Sequence, residues 1–218
     1  MAAASAANLR ARWDALLALP DLASRALPCP DRQRAAETYD ELEQLYSEPH
    51  RHYHNLDHID VCLRLLAEAP HDHDDSVPLQ LAIWFHDAVY QPLRGDNEEE
   101  SAALAKQRLT ALDAPKDLVT TVADLILVTK HDREPTTASE KLLLDIDLNV
   151  LGAARSCFEE YEAAIRREYR RVPGPLYRRK RKAILQAFLA RPALYHTSGF
   201  RQREGPARAN LLWAISRL

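Results

Sequence analysis

Apolar residues recur every three or four positions along nearly the whole chain, and this interval is the period of an α-helix. No segment shows the two-residue alternation of a half-buried β-strand. Five Gly against 13 Pro also disfavour a barrel with glycine-rich turns. The sequence therefore predicts an all-α protein. Ten helices are expected, beginning near residues 9, 35, 55, 79, 97, 116, 139, 158, 177 and 208.

Prolines, glycines and polar caps predict where these helices begin and end. Pro20 is expected to stop the first helix, and Asn55 and Asn97 are expected to be N-caps. The segment 70–75 is predicted to be a solvated loop. The helix after it is expected to follow Pro78 and to continue through the sequence LQLAIWFHDAVY, and a later buried helix is expected to end at the glycine of LLLDIDLNVLG.

Composition narrows the classes of function. The chain has 218 residues and a net charge of −3, which suits one globular domain and disfavours a nucleic-acid partner. No apolar run approaches the ~20 residues of a membrane span, and the Ala-rich start lacks the apolar core of a secretory signal. Cys29, Cys62 and Cys157 offer no paired spacing, so a reducing compartment is favoured. We therefore expect a cytoplasmic protein without membrane contact.

Four ionisable side chains occupy positions where the helical period predicts core residues: His58, His86, Asp87 and Asp147. Each one alone is compatible with a hydrogen-bonded polar group in a core. An ionised Asp in an apolar setting costs several kcal/mol unless it is paired or binds a metal. Asp145 has more polar neighbours than Asp147, so we expect Asp147 to point inward and Asp145 to orient a ligand histidine.

A divalent cation is the economical way to bury two imidazoles and two carboxylates together, because it neutralises the acids and accepts the ring nitrogens. The absence of a thiolate from this set favours a six-coordinate ion. Mn²⁺, Fe²⁺, Mg²⁺, Co²⁺ and Ni²⁺ are the candidates, and Zn²⁺ is less favoured.

These motifs resemble the H…HD…D signature of the HD superfamily of metal-dependent phosphohydrolases. RHYHNLDHI, FHDAVY, DNEEESA, TKH, IRREY and ARANL resemble more closely an uncharacterised bacterial branch of that superfamily, from about Trp13 to Leu212. The resemblance implies a single HD-type helical domain over residues 1–218. Its metal-site core would span about 50–152, and helices from 153–218 would pack on it. It also implies hydrolysis of a phosphate ester of a small molecule, with a nucleotide as one candidate.

The resemblance and the residue chemistry together suggest roles around the metal. Asp87 would serve catalysis as a ligand, His131 would bind phosphate, donate a proton or join a second metal, and Glu98 would orient water. Each has a structural alternative: His131 as a solvated residue at a helix end, and Glu98 as an acid in a first helical turn. The predicted substrate contacts are Arg51, His54, Lys130, Arg178 and Arg181.

The substrate contacts also have alternatives. Arg51 is equally compatible with an ion pair to Glu48, His54 with a structural role, and the basic run around Arg178 with a solvated helix face. Arg208 and Asn210 are expected to lock the last helix onto the core, and Tyr195 and Phe200 to be core aromatics.

Two other functions fit the same motifs. An HD-like di-iron oxygenase would need further histidine ligands, for which His131 and then His54 are the candidates. A binding module that senses a ligand without turnover would not need all four metal ligands. The sequence leaves the oligomeric state open, and a homodimer is compatible with it.

Overall fold

The computed structural model describes residues 2–18 and 32–218, and these contain ten α-helices and no β-strand. The all-α prediction is therefore confirmed. The helices are α1 (Ala2–Leu17), α2 (Arg32–Tyr46), α3 (Leu56–Glu68), α4 (His73–Phe85), α5 (Asn97–Ala111), α6 (Lys116–Val128), α7 (Ala138–Asp147), α8 (Arg155–Glu168), α9 (Gly174–Ala190) and α10 (Glu204–Arg217). Two 3₁₀ helices add Leu148–Gly152 and Arg201–Arg203. Pro20 and Cys29 lie outside the described residues.

The chain divides into two compact units, Met1–Glu134 and Pro135–Leu218. The first contains α1 to α6 and the second contains α7 to α10. The single domain predicted over residues 1–218 stays a prediction. No helix in the described part of the chain is both long and apolar enough to cross a bilayer.

An aromatic cluster forms the core of the first unit. Trp13 of α1 contacts Trp84 and Phe85 of α4 edge-on, with ring centroids 5.6 and 6.2 Å apart. Tyr39 of α2 packs against Trp84 at 5.9 Å. The hydroxyl of Tyr46 donates a hydrogen bond to the Trp84 carbonyl oxygen at 3.0 Å. These contacts fix the C-terminal end of α4, which immediately precedes the His-Asp pair.

α4 begins earlier than the sequence pattern predicts. The pattern predicts a loop over 70–75 and a helix after Pro78, but the helix begins at His73 and includes Pro78. Asp74 and Asp75 lie in its first turn, where carboxylates interact favourably with the positive end of the helix dipole. The acidic residues therefore form part of the first helical turn and do not belong to a loop.

α4 also ends earlier than predicted, and backbone groups of the turn that follows it bond to partners outside the helix. The pattern predicts a helix through Tyr90, yet α4 ends at Phe85 and residues 86–89 form turns and bends. Arg51 donates to the carbonyl oxygens of Asp87 and Ala88 at 2.6 and 2.7 Å. The Val89 amide donates to the side-chain oxygen of Ser101, 12 residues later in the chain, at 3.1 Å. Helical periodicity does not reveal such partners.

The second unit packs around the 3₁₀ turn Leu148–Gly152. The Tyr195 hydroxyl donates to the Leu148 carbonyl oxygen at 2.9 Å, and Asn210 of α10 donates to those of Leu151 and Ala153 at 2.8 and 3.0 Å. The predicted lock of the last helix is therefore confirmed for Asn210.

Arg208 also confirms this lock, because it donates to the carbonyl oxygens of Leu189 and Arg191 at 3.0 and 2.8 Å. Tyr195 and Phe200 are core aromatics as predicted, with 2% and 5% of their surface exposed. These contacts fasten both ends of the segment that joins α9 to α10.

Candidate metal centre

His58 lies in the first turn of α3, and an N-cap fixes its position. The Asn55 side-chain oxygen accepts hydrogen bonds from the amides of Asp57 and His58 at 3.0 and 3.4 Å, which confirms the predicted cap. Only 2% of the His58 side chain is exposed. The cap therefore holds a buried imidazole at the start of a helix.

His86 is the residue directly after α4, and a backbone contact selects its tautomer. Its Nδ1 lies 2.9 Å from the Ile83 carbonyl oxygen, which can only accept a hydrogen bond. Nδ1 therefore carries the hydrogen, and in the neutral ring Nε2 presents its lone pair. This backbone arrangement is the usual one for a metal-binding histidine.

Three ligand-type atoms converge in the first unit. His86 Nε2 lies 3.2 Å from His58 Nε2 and 3.1 Å from Asp87 Oδ2, and His58 Nε2 lies 3.7 Å from the same carboxylate oxygen. Both imidazole side chains are 2% exposed and the Asp87 side chain 18%. A lone pair of His86 facing a carboxylate is repulsive unless a proton or a cation lies between them.

The spacing of these atoms fits a divalent ion. Atoms that bind one ion at about 2.1 Å in adjacent octahedral positions lie roughly 3 Å apart. The measured separations of 3.1 to 3.7 Å need only small movements to reach that value. Two of these residues, His58 and His86, belong to a group of ligand-type side chains whose atoms lie close enough together to hold a metal ion.

The charge state of Asp87 also suits metal binding. Burial raises the pKa of its carboxyl group, but the imidazoles of His86, His54 and His58 together lower that pKa well below its ordinary value. The carboxylate is therefore ionised at neutral pH and available as an anionic ligand. Its backbone lies in a turn, so the reasoning that placed Asp87 on the face of a helix was wrong, although its carboxylate does lie beside both histidines.

Arg51 supports the His-Asp turn, and its surroundings contradict the predicted contact with substrate. Its side chain has no exposed surface and donates to Glu48 Oε2 at 3.0 Å. It also donates to the backbone oxygens of His54, Asp87 and Ala88 at 3.2, 2.6 and 2.7 Å. With four bonds made to protein groups and no surface exposed, the guanidinium has no open face for a phosphate.

Two predicted residues lie near Asp87. The His54 ring stacks on the Tyr90 ring with centroids 4.2 Å apart, outside the helix that Asn55 caps. Glu98 is half-buried in the first turn of α5, and burial raises the pKa of its carboxyl group, to which the Asp87 charge also contributes. The prediction that Asn97 is the N-cap of α5 was wrong. Its side chain bonds instead to the backbone of Gln91, and Asp96 precedes the helix.

The TKH motif follows the end of α6. His131 is half-buried and has a positive φ of 60°, a conformation that few non-glycine residues adopt. Lys130 forms an ion pair with Glu99 of α5, which raises the pKa of the lysine and lowers that of the glutamate. The catalytic role of His131 and the substrate contact of Lys130 stay predictions.

The burial of the two aspartates of α7 is the reverse of the prediction that Asp147 points inward. Asp145 is completely buried, whereas Asp147, the last residue of α7, is half-buried. Asp145 accepts hydrogen bonds from the amides of His196 and Thr197 at 2.8 and 2.7 Å and from the Thr197 hydroxyl at 2.6 Å. It therefore fastens a loop of its own unit, and the prediction that it orients a ligand histidine was wrong.

The two arginines predicted on α9 differ from one another. Arg181 is buried and donates to the Glu162 carboxylate and to the Tyr161 hydroxyl, so the structure contradicts its predicted substrate contact. Arg178 is exposed. The sequence could not show that one member of the basic run pairs within the fold, because Glu162 lies on the preceding helix.

No protein-family model, no curated protein and no solved structure matches this chain. The likeness to the HD superfamily accordingly stays a resemblance of motifs. The chemistry of the candidate centre is inferred from its own side chains.

Proposed function

We propose that the protein is a metal-dependent phosphohydrolase of the HD type, with His58, His86, Asp87 and Asp147 as its metal ligands. The observation that supports this most is the convergence of His86 Nε2, His58 Nε2 and Asp87 Oδ2 within 3.7 Å of one another. Asp147 enters the proposal from its position in the sequence motif. Mn²⁺, Fe²⁺, Mg²⁺, Co²⁺ and Ni²⁺ are the proposed ions because the ligands are nitrogen and oxygen atoms.

A bound divalent ion would supply an activated water and charge stabilisation to a phosphate ester. The residues of the chain would do the rest. The Asp87 carboxylate, which is ionised because three imidazoles lower its pKa, would contribute the negative charge of the site. Glu98, whose carboxyl pKa is raised by burial, would orient a water and accept its proton.

The substrate we propose is a small phosphorylated molecule of the cytoplasm, with a nucleotide as one candidate. His54 would contact it from the Tyr90 stack beside Asp87. Lys130 and His131 would add a cation and a proton donor after α6. Arg51 and Arg181 have no part in this proposal, because their guanidinium groups bond within the protein.

A screen of phosphorylated metabolites against Mn²⁺, Co²⁺, Mg²⁺ and Ni²⁺ tests the proposal. His86→Ala and Asp87→Asn should each lower turnover by at least about 10³-fold, because each removes a ligand. Their circular dichroism should remain helical. His71→Ala is the matched control: this histidine bonds only locally, with Nδ1 2.8 Å from the Ala69 carbonyl oxygen. Full turnover in either ligand variant would contradict the proposal.

One observation favours a second function, that of a di-iron oxygenase. His54 lies close enough to Asp87 to lower its pKa, so a third imidazole borders the centre. Two irons per chain together with oxygen consumption, and no phosphatase activity with any of the four ions, would support this alternative over hydrolysis.

A further inference from the structure

The second unit is strongly basic, although the whole chain is slightly acidic. Residues 135–218 contain 16 Lys and Arg against 8 Asp and Glu, whereas residues 1–134 contain 13 against 24. The asymmetry is sharpest between residues 163 and 203, which hold 12 basic residues and one acid. That acid, Glu168, is buried. The second unit therefore carries a net positive charge, although the net charge of the whole chain is negative.

A cavity of about 320 Å³ lies among α8, α9 and α10 of this unit. Three arginines line it, one from each of the three helices: Arg166, Arg178 and Arg217. Two aromatic side chains, Tyr177 and Trp213, also line the cavity. The volume falls in the range of small-molecule sites, which is about 300–1,000 Å³.

One of the arginines is held in place by backbone contacts, and a second, exposed arginine lies over an aromatic ring of its own helix. Arg166 donates to the backbone oxygens of Tyr169 and Val172 at 2.6 and 3.2 Å, and its guanidinium lies 4.6 Å from the Tyr177 ring centroid. The Arg217 guanidinium lies 5.2 Å from the Trp213 ring centroid. Such preorganisation lowers the entropic cost of binding an anion.

The charge of the cavity is not cancelled by its acidic wall residue. Glu162 also lines the cavity, but its carboxylate pairs with Arg181, which is buried beneath it. Arg178 is exposed and, among the described residues, forms no ion pair. Three guanidinium groups around one concave site present a concentrated positive charge to phosphate oxygens, and Arg178 can add paired N–H donors.

We propose that this cavity is a binding site for a small anion that carries two or more phosphate groups. A concave wall of three arginines favours a compact polyanion over the extended backbone of a nucleic acid, which would contact the exposed basic residues of α9 as a whole. The site involves none of the residues of the candidate metal centre, so its existence does not depend on the proposed hydrolase activity.

Tryptophan fluorescence gives a direct test, because Trp213 is the one partly exposed tryptophan of the three. Trp13 and Trp84 are completely buried in the first unit. Tripolyphosphate, which does not absorb, is titrated into the full-length protein with EDTA present to remove metal ions. We expect a saturable change in emission with an affinity that calorimetry of the wild-type protein reproduces, and Trp213→Phe should abolish the emission change.

Matched charge reversals locate the site. Arg178→Glu should weaken tripolyphosphate binding at least about tenfold, because it places an acid in the cavity wall. Arg179→Glu changes the net charge equally on an exposed neighbour that does not line the cavity, and should weaken binding less than about threefold. Arg178→Gln gives the same direction with a smaller structural change, and thermal melting checks that all variants are folded.

Three results would overturn the proposal. The first is no saturable binding of tripolyphosphate, and the second is equal weakening by Arg178→Glu and Arg179→Glu, which indicates diffuse attraction only. The third is a single-stranded oligonucleotide that binds at least ten times more tightly than tripolyphosphate and loses affinity equally in both variants. That pattern would identify the basic face as a nucleic-acid surface. His86→Ala should leave tripolyphosphate binding unchanged, which separates this test from that of the metal centre.

Discussion

Arg51 is the residue whose role the structure changes most. Its sequence position beside a histidine-rich motif suggested a phosphate contact, but its guanidinium bonds to the carbonyl oxygens of Asp87 and Ala88 and lies between the rings of Tyr46 and Tyr90. In a longer α4 these two carbonyl oxygens would accept hydrogen bonds from backbone amides, but here they accept from Arg51. Arg51 therefore keeps the His-Asp pair in a turn at the end of that helix.

We predict that Arg51→Lys will destabilise the protein and loosen the metal centre together. A lysine keeps the charge but loses the planar fork that bonds to several oxygens at once. Loss of these buried bonds should lower the free energy of unfolding by about 3 kcal/mol, measured by urea denaturation. Metal affinity should fall about tenfold, measured by competition with a chelating dye. Unchanged stability together with a raised KM would instead indicate that Arg51 contacts the substrate.

At the scale of elements, periodicity predicted which segments are helical, but not where α4 begins and ends. Its true start depends on acidic residues in a first turn, and its true end depends on Arg51 and Ser101, which lie far from it in sequence. The candidate site shows the same difference between local and distant information. Residue chemistry and helical periodicity selected His58, His86 and Asp87, which the structure brings together. The roles of Arg51, Asp145 and Arg181 depend instead on partners that no sequence spacing indicates.

The cap of α3 offers a test of how an element positions a ligand. Asn55→Ala removes the side-chain oxygen that accepts from the His58 amide and should cost about 1 kcal/mol of stability, with weaker metal binding as a consequence. Asp72→Ala is the control, because Asp72 is the N-cap of α4 without a side-chain cap bond. Chemical denaturation compares the two. An equal cost for both variants would show that the Asn55 cap contributes nothing specific.

Two glycines of the second unit should respond in opposite directions to alanine. A Cβ on Gly152 would lie 2.6 Å from the Arg203 Cβ and 2.9 Å from its carbonyl oxygen, so Gly152→Ala should destabilise by about 1–3 kcal/mol. A Cβ on Gly205 of α10 would meet nothing within 4 Å, and Gly205→Ala should stabilise by about 0.5 kcal/mol. Thermal unfolding measures both. A neutral Gly152→Ala would mean that the 3₁₀ turn is not packed closely against Arg203.

At the scale of the whole molecule, net charge conceals how the charge is distributed. The value of −3 for 218 residues, which disfavours a nucleic-acid partner, is the sum of an acidic first unit and a basic second one. The fold class followed from the sequence because helical periodicity is a local property. The distribution of charge over compact units depends on where the chain divides, which periodicity does not show.

The metal content of the purified protein tests the central claim most directly. The full-length chain is loaded with Mn²⁺ or Co²⁺, dialysed, and analysed by inductively coupled plasma mass spectrometry beside His86→Ala and the control His71→Ala. We predict at least one ion per chain in the wild type and in His71→Ala, and less than about a tenth of that in His86→Ala. Equal metal content in all three proteins, or none in the wild type with any ion, would contradict the account.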